Sequence, residues 1–197
     1  MVINNKKDLN NYLKCLKYLG CGSQGETYYD FKSKKVIKIF HDIFDEDSEY
    51  FFDILESDIL KFKDCKNDTY IFADDVVYLN DKIIGYTMSF ANGDTIDKIN
   101  PLKVNLDLFY NAISLAYFDI KKISDYKILT FDCLYNTMYG NDKISVIDAD
   151  EYCFSNIDDD SLYQKNRFNF NIGIMLFLVD TYFDEFFKEN KILNEMY

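Results

Sequence analysis

"LGCGSQGETYY", residues 19–29, is the stretch whose reading decides the fold. Gly20, Gly22 and Gly25 stand in G-x-G-x-x-G spacing, which lets backbone amides approach phosphate oxygens because no Cβ intervenes. The spacing occurs in more than one fold, so the residues that follow must decide. A dinucleotide-binding fold begins a helix at the glycines and turns that helix's N-terminal amides toward the pyrophosphate. Here the continuation is "ETYYDFKSKKVIKIF": an aromatic-rich segment from Glu26 to Phe31, a polar turn at "KSKK", and a β-like run from Val36 to Phe40. That is strand, turn, strand. No Gly-Lys-Ser/Thr follows, so a Walker loop is excluded. A hairpin with a purely structural role stays open as the alternative.

The rest of the chain bounds the class. At 197 residues it suits one domain or two small lobes, and 48% hydrophobic residues can fill a core. The 22 basic and 34 acidic side chains leave a formal charge of −12, a surface that repels nucleic acid and anionic lipid. Arg167 is the only arginine, Pro101 the only proline and His41 the only histidine. The five cysteines, Cys15, Cys21, Cys65, Cys133 and Cys153, are odd in number and lack C-x-x-C spacing. They read as free, mostly buried thiols, with neither a disulfide framework nor a zinc site. "MVINNKKDLNNYLK" has no signal-peptide core, and the longest apolar run, "IGIMLFLV" at 172–179, falls far short of the ~20 residues that span a bilayer. A soluble, cytoplasmic protein with no membrane or nucleic-acid partner is the expectation.

The second strand sharpens the reading. Alternation in "VIKIF" puts Val36, Lys38 and Phe40 on one face. A lysine on an apolar face needs an anion, unless it lies on an edge strand and reaches water. Residues 48–63, "SEYFFDILESDILKFK", carry Phe51, Leu55, Ile59 and Phe62 at helical spacing, with Glu56 on the flank shared with Phe52, Ile59 and Leu60. Glu56 follows Lys38 by eighteen residues, enough to turn from the strand into a helix packed across it. Each of the two needs a partner, and the expectation is that they pair. Glu49 is the second choice, but an acid at a helix start is already explained by the dipole.

Glycine loop, strand lysine and helix glutamate, in this order, resemble the N-terminal lobe of the protein-kinase superfamily, and "ESDIL" is similar to the glutamate-bearing segment of the family's αC helix. The resemblance implies ATP as the bound nucleotide. Gly20, Gly22 and Gly25 would lie over its phosphates, and Lys38, held by Glu56, would meet phosphate oxygens. It extends through strand 76–79, an "ND" turn and strand 83–90, which resemble the hairpin leading into the interlobe hinge. On that footing Met88 is the gatekeeper, Ser89, Phe90 and Ala91 offer backbone groups to adenine, and Asp94 meets the ribose. Asp94 beside Gly93 reads equally as a turn-forming aspartate.

After Pro101 the pattern is helical, with Phe109, Ile113, Ala116 and Ile120 on one stripe of 104–120. "NTMYGNDKISVID" then reads as a hairpin around "GND", with Asn136 before one strand and Asp148 at the end of the other. "SVIDAD" resembles the family's D-F-G region. Asn136 and Asp148 are therefore the implied oxygen ligands of Mg²⁺, and Asp132 the acid near enough to accept a hydroxyl proton. The resemblance covers about residues 18–154. The chain departs from the family in four ways. "TFD" at 130–132 stands where H-R-D is expected, Asp132 and Asn136 are four positions apart rather than five, Asp150 replaces the glycine of D-F-G, and there is neither an A-P-E nor a basic cluster. Only 49 residues follow Asp148, among them "DDDS" at 158–161, read as a solvated loop or cap, and a helix-like run from Phe168 to about Phe187.

The expectation is an α+β, two-lobed, kinase-like fold. It comprises an N-terminal antiparallel sheet with one helix over 1–91 and a shortened helical lobe over 92–197. The function it implies is transfer of the γ-phosphoryl group of Mg-ATP to a hydroxyl of an unidentified substrate, a protein among the candidates. Two alternatives stand beside it: a pseudokinase that binds nucleotide and a protein partner, and a small-molecule kinase, whose histidine-bearing catalytic loop is missing here.

Overall fold

The structure is a computed structural model and describes residues 1–41 and 54–189. It is α+β, and the chain divides into two compact units, Met1–Asp64 with Phe72–Phe90 and Cys65–Ile71 with Ala91–Tyr197.

The first unit is built on six strands: β1 (Val2–Ile3), β2 (Lys17–Cys21), β3 (Gly25–Asp30), β4 (Lys35–Phe40), β5 (Ala73–Leu79) and β6 (Lys82–Ser89), ordered β1-β5-β6-β4-β3-β2. The antiparallel sheet expected from the sequence is in fact mixed, because β1 runs parallel to β5, tied by Tyr78 N to Met1 O and Asn80 N to Ile3 O. A two-residue strand is too short to show alternation, so it carries no sequence signal. Helix α1 (Lys6–Leu13) was also not expected. Its cap is Asn5, whose side chain accepts from the Asp8 amide at 2.9 Å. Leu9 and Leu13, one turn apart, pack with Ile37, Ile39, Val77 and Ile84 on one face of the sheet.

The helix read over 48–63 is corrected where it can be followed. Residues 48–53, with Glu49, Phe51 and Phe52, lie outside the described residues. In the remainder only α2 (Glu56–Ile59) is helical, a single turn with no buried residue, and Leu55 is exposed. A turn that buries no apolar face has nothing to offset the cost of extending it. Phe62 is buried beyond the helix, its ring 5.3 Å from that of Phe72.

The second unit centres on α3 (Leu106–Asp125) and α5 (Asp159–Leu176), the latter continued by a π-turn at Phe177–Thr181 into α6 (Tyr182–Glu189). Asn105 caps α3, and Asp158 caps α5 by accepting from the Ser161 amide, so "DDDS" is a helix start. Phe109, Ala116 and Ile120 are buried as the stripe requires, and Ile113 is half-buried. Ahead of α3 lies β7 (Asp94–Thr95), and between the helices run β8 (Ile128–Leu129), the short α4 (Cys133–Asn136), the hairpin β9 (Thr137–Gly140) and β10 (Lys143–Val146), and β11 (Cys153–Phe154), which pairs with β8. The hairpin turns at Asn141-Asp142, both left-handed, as a two-residue hairpin of right-handed twist demands. Segment Cys65–Ile71 joins this unit through Ile71 N to Val146 O and Val146 N to Thr69 O, and through Asp119 of α3, which accepts from the Asp68 amide and the Thr69 hydroxyl. Among the described residues no helix is long and apolar enough to cross a membrane.

All five cysteines are free, but the expectation of mostly buried thiols fails: Cys15, Cys21 and Cys153 are exposed. Burial pushes the Cys65 thiol up to about 11 and also raises Cys133, which leaves both as inert thiols.

Candidate functional site

In the first unit the glycines sit at the tip of the β2–β3 hairpin. The Gly22 amide donates to Gly25 O at 2.9 Å, and the His41 amide holds Gln24 O at 3.1 Å. The glycines are not equivalent. A Cβ on Gly25 would lie 2.3 Å from Ile39 O on the neighbouring strand, so the sheet itself requires glycine there. Among the described residues a Cβ on Gly20 or Gly22 would meet nothing closer than 4.0 and 3.9 Å, so nothing there calls for glycine at either.

Lys38 lies in register between Thr27 and Tyr86 on β4, an interior strand. The edge-strand alternative is thereby removed: Lys38 is 5% exposed. Its ammonium donates to Gln24 Oε1 in the hairpin turn at 3.3 Å and stands 5.7 Å from the Tyr86 ring centroid. Pairing of Val36 with Met88 and of Lys38 with Tyr86 puts Met88 on the lysine's face, opposite the face that α1 covers. Met88 is buried, while Ser89 and Phe90 are exposed, the Phe90 ring resting on Tyr29 at 4.6 Å.

The Lys38–Glu56 pair does not form. Glu56 is exposed on α2, where it accepts from the Tyr78 hydroxyl at 2.6 Å, and no ion pair joins it to Lys38. A helix laid across the sheet would bring the two together, whereas the single turn of α2 leaves Glu56 within reach of Tyr78 on β5. Gln24 and Tyr86 were missed as neighbours of Lys38. The position of Gln24 between Gly22 and Gly25 was the available signal.

In the second unit the hairpin expected around "GND" is present. The Ile147 amide donates to Asn136 O at 2.9 Å, which extends the β9–β10 pairing to the level of Asn136 and sets Asp148 next along the chain. The Asn136 amide nitrogen donates to the backbone oxygen of Asp132 at 3.0 Å. Asn136 therefore ties down the loop that carries the candidate base, and its side-chain oxygen remains as an acceptor. Asp132 and Asp148 are both exposed and both left-handed, with φ of 45° and 61°. The other non-glycine residues of this kind include the hairpin pair Asn141 and Asp142 and the α3 terminus, Lys127, where the conformation makes a turn or a cap. Asp132 and Asp148 follow short strands at the two positions singled out for chemistry, and strain of this sort gathers at functional sites. Asp94 is exposed and pairs with Tyr139, and the Gly93 before it has φ of 103° with its Cα pressed on Gly140, so a turn role accounts for this aspartate structurally.

What holds the Thr130–Asp132 loop was not legible in the sequence. Asn166 on α5 is fully buried and uses its whole amide. Its oxygen accepts from Thr130 N at 2.9 Å and the Thr130 hydroxyl at 3.2 Å, and its nitrogen donates to Ser124 Oγ at 3.0 Å and Ile128 O at 2.8 Å. Asn169 donates to Thr130 O, and Gly173 lets α5 approach Cys133 O, which a Cβ would meet at 3.0 Å. An asparagine in line with Leu162 and Phe170, both buried, was the signal.

Among the described residues no group of three or more His, Cys, Asp or Glu side chains is arranged to hold a metal ion. Mg²⁺, which keeps several waters and takes few protein oxygens, fits a donor set as small as Asn136 and Asp148. Comparison with known protein families and with curated proteins finds no match to the chain.

Proposed function

We propose that this chain is a kinase-like nucleotide-binding protein that uses Mg-ATP as phosphoryl donor to a hydroxyl. The observation that carries the reading is Lys38: an ammonium 5% exposed, on an interior strand, bonded to the turn of a glycine hairpin two of whose glycines no contact among the described residues requires. Phosphate is the anion that a glycine hairpin suits, and the Lys38 ammonium beside that hairpin is a point charge placed to meet it. Gly20, Gly22 and Gly25 supply backbone amides and Lys38 a point charge. Met88 lines the adenine side, with the backbone of Ser89, Phe90 and Ala91 offering polar groups and Asp94 the ribose contact. Asn136 and Asp148 offer the oxygens that hold Mg²⁺, and Asp132 accepts the proton of the attacking hydroxyl. Bound Mg²⁺ supplies positive charge against the phosphate oxygens. Glu56 orients Lys38 only in a state other than the one described.

A second reading, a nucleotide-binding module without transfer, is favoured by one observation: Glu56 is engaged by Tyr78 and not by Lys38. The experiment that separates the two is a thermal shift with ATP, with and without Mg²⁺, followed by transfer of radiolabelled phosphate to the chain and to generic acceptors. Stabilisation by Mg-ATP that Lys38→Met abolishes, together with transfer, supports the kinase. Stabilisation without transfer supports the module, and an unchanged shift in Lys38→Met removes both. Asp148→Asn is expected to weaken Mg²⁺-dependent binding, and Asp132→Asn to spare binding and stop transfer alone.

A further inference from the structure

The helix α5 and its continuation into α6 are apolar on two faces. Phe170, Ile174 and Phe177 face inward and are buried. Phe168, Ile172, Met175, Val179 and Phe183 face away, each between 39% and 64% exposed. Their spacing is four, three, four and four residues, and the last step crosses the π-turn, whose wider turn absorbs one residue and keeps the stripe on one side. From Phe168 to Val179 no residue is charged. A helix apolar on two faces has a second face to cover, and a contiguous exposed apolar strip marks an interface.

We propose that the cover is a second copy of this chain, its helix antiparallel to the first about a two-fold axis near Met175. Charge decides both the partner and the direction. Lys165 and Arg167 flank the N-terminal end of the strip, and Asp180 and Asp184 flank the C-terminal end. Lys165, Asp180 and Asp184 are exposed and take part in no ion pair among the described residues. Antiparallel pairing sets Lys165 and Arg167 of each helix near Asp180 and Asp184 of the other, whereas parallel pairing sets like on like. Such self-complementarity is what an isologous contact requires. At a net charge of −12, two copies repel across most of their surface, and the uncharged strip is where they can approach.

The test is sedimentation or light scattering of the full chain over a range of concentrations. The expected mass rises from 23.4 kDa toward twice that value. Met175→Glu, on an exposed position, is expected to stay monomeric at every concentration with unchanged circular dichroism, and Ile172→Gln serves if the first variant loses helix. Lys165→Glu is expected to weaken the dimer about tenfold, about 1.4 kcal/mol, and adding Asp184→Lys to restore it. A wild-type chain that stays at 23.4 kDa up to its solubility limit, or a dimer indifferent to both apolar substitutions, overturns the proposal. A dimer that Lys165→Glu strengthens overturns the antiparallel arrangement.

Discussion

Lys38 and Gly25 lie on the adjacent strands β4 and β3, Lys38 opposite Thr27 and Gly25 opposite Phe40. Gly25 is glycine because Ile39 O stands 2.3 Å from where its Cβ would be. Gly25→Ala is therefore expected to cost about 2 kcal/mol or more through overpacking, whereas Gly22→Ala changes stability by under about 0.5 kcal/mol. Thermal melts of the two variants check the difference. If Gly22→Ala also leaves ATP-induced stabilisation intact, the hairpin tip does not lie on phosphate. Asp119 gives a second residue-level expectation. Burial alone would push its carboxyl up, but the Lys122 ammonium at 2.7 Å, the Thr69 hydroxyl and the Asp68 amide outweigh that and hold it below the ordinary 3.8. A carboxylate with a lowered folded value adds stability above its unfolded pKa and loses it as pH falls through the folded one. Stability of the wild type should thus fall as pH drops below 3.8, and Asp119→Asn, weaker at neutral pH, should show a shallower fall over that window in denaturant melts read at each pH.

At the scale of elements, the loop carrying Asp132 is placed by α5 rather than by its own sequence. Asn166 reaches Thr130, Ser124 and Ile128 from a fully buried position, so Asn166→Ala leaves several polar groups unsatisfied at once. The expected loss is on the order of 3 kcal/mol, which corresponds to roughly 6–12 °C in Tm for a chain of this size. Calorimetry checks it, and a change of under about 1 °C would mean that the loop is held elsewhere. The hairpin β9–β10 could be read from "GND" because a two-residue left-handed turn has a residue signature. The single turn α2 could not, since apolar spacing over 48–63 says which residues would share a face but not whether anything lies against that face. Helix α1 was overlooked although Asn5 and Asp8 form its cap, because only two of its side chains are buried.

At the scale of the whole molecule, the charge of −12 sets an expectation about partners. The chain should pass unretained through a heparin or phosphocellulose matrix even at low ionic strength, where electrostatic capture is strongest. Retention there would point to a basic patch that the total charge conceals. Composition, the β3–β4 and β5–β6 hairpins, the α3 stripe and the hairpin ahead of Asp148 were all determined by the sequence. Each rests on local periodicity, on turn chemistry or on a sum over residues, and none requires knowing what is adjacent in space. The tertiary structure alone decided that Lys38 lies on an interior strand, that Glu56 meets Tyr78 instead of Lys38, that Asn166 anchors the Thr130–Asp132 loop, and that segment Cys65–Ile71 belongs with the second unit. These are contacts between residues far apart along the chain, and their energies depend on burial and on which donors and acceptors converge, quantities that exist only once the chain has packed.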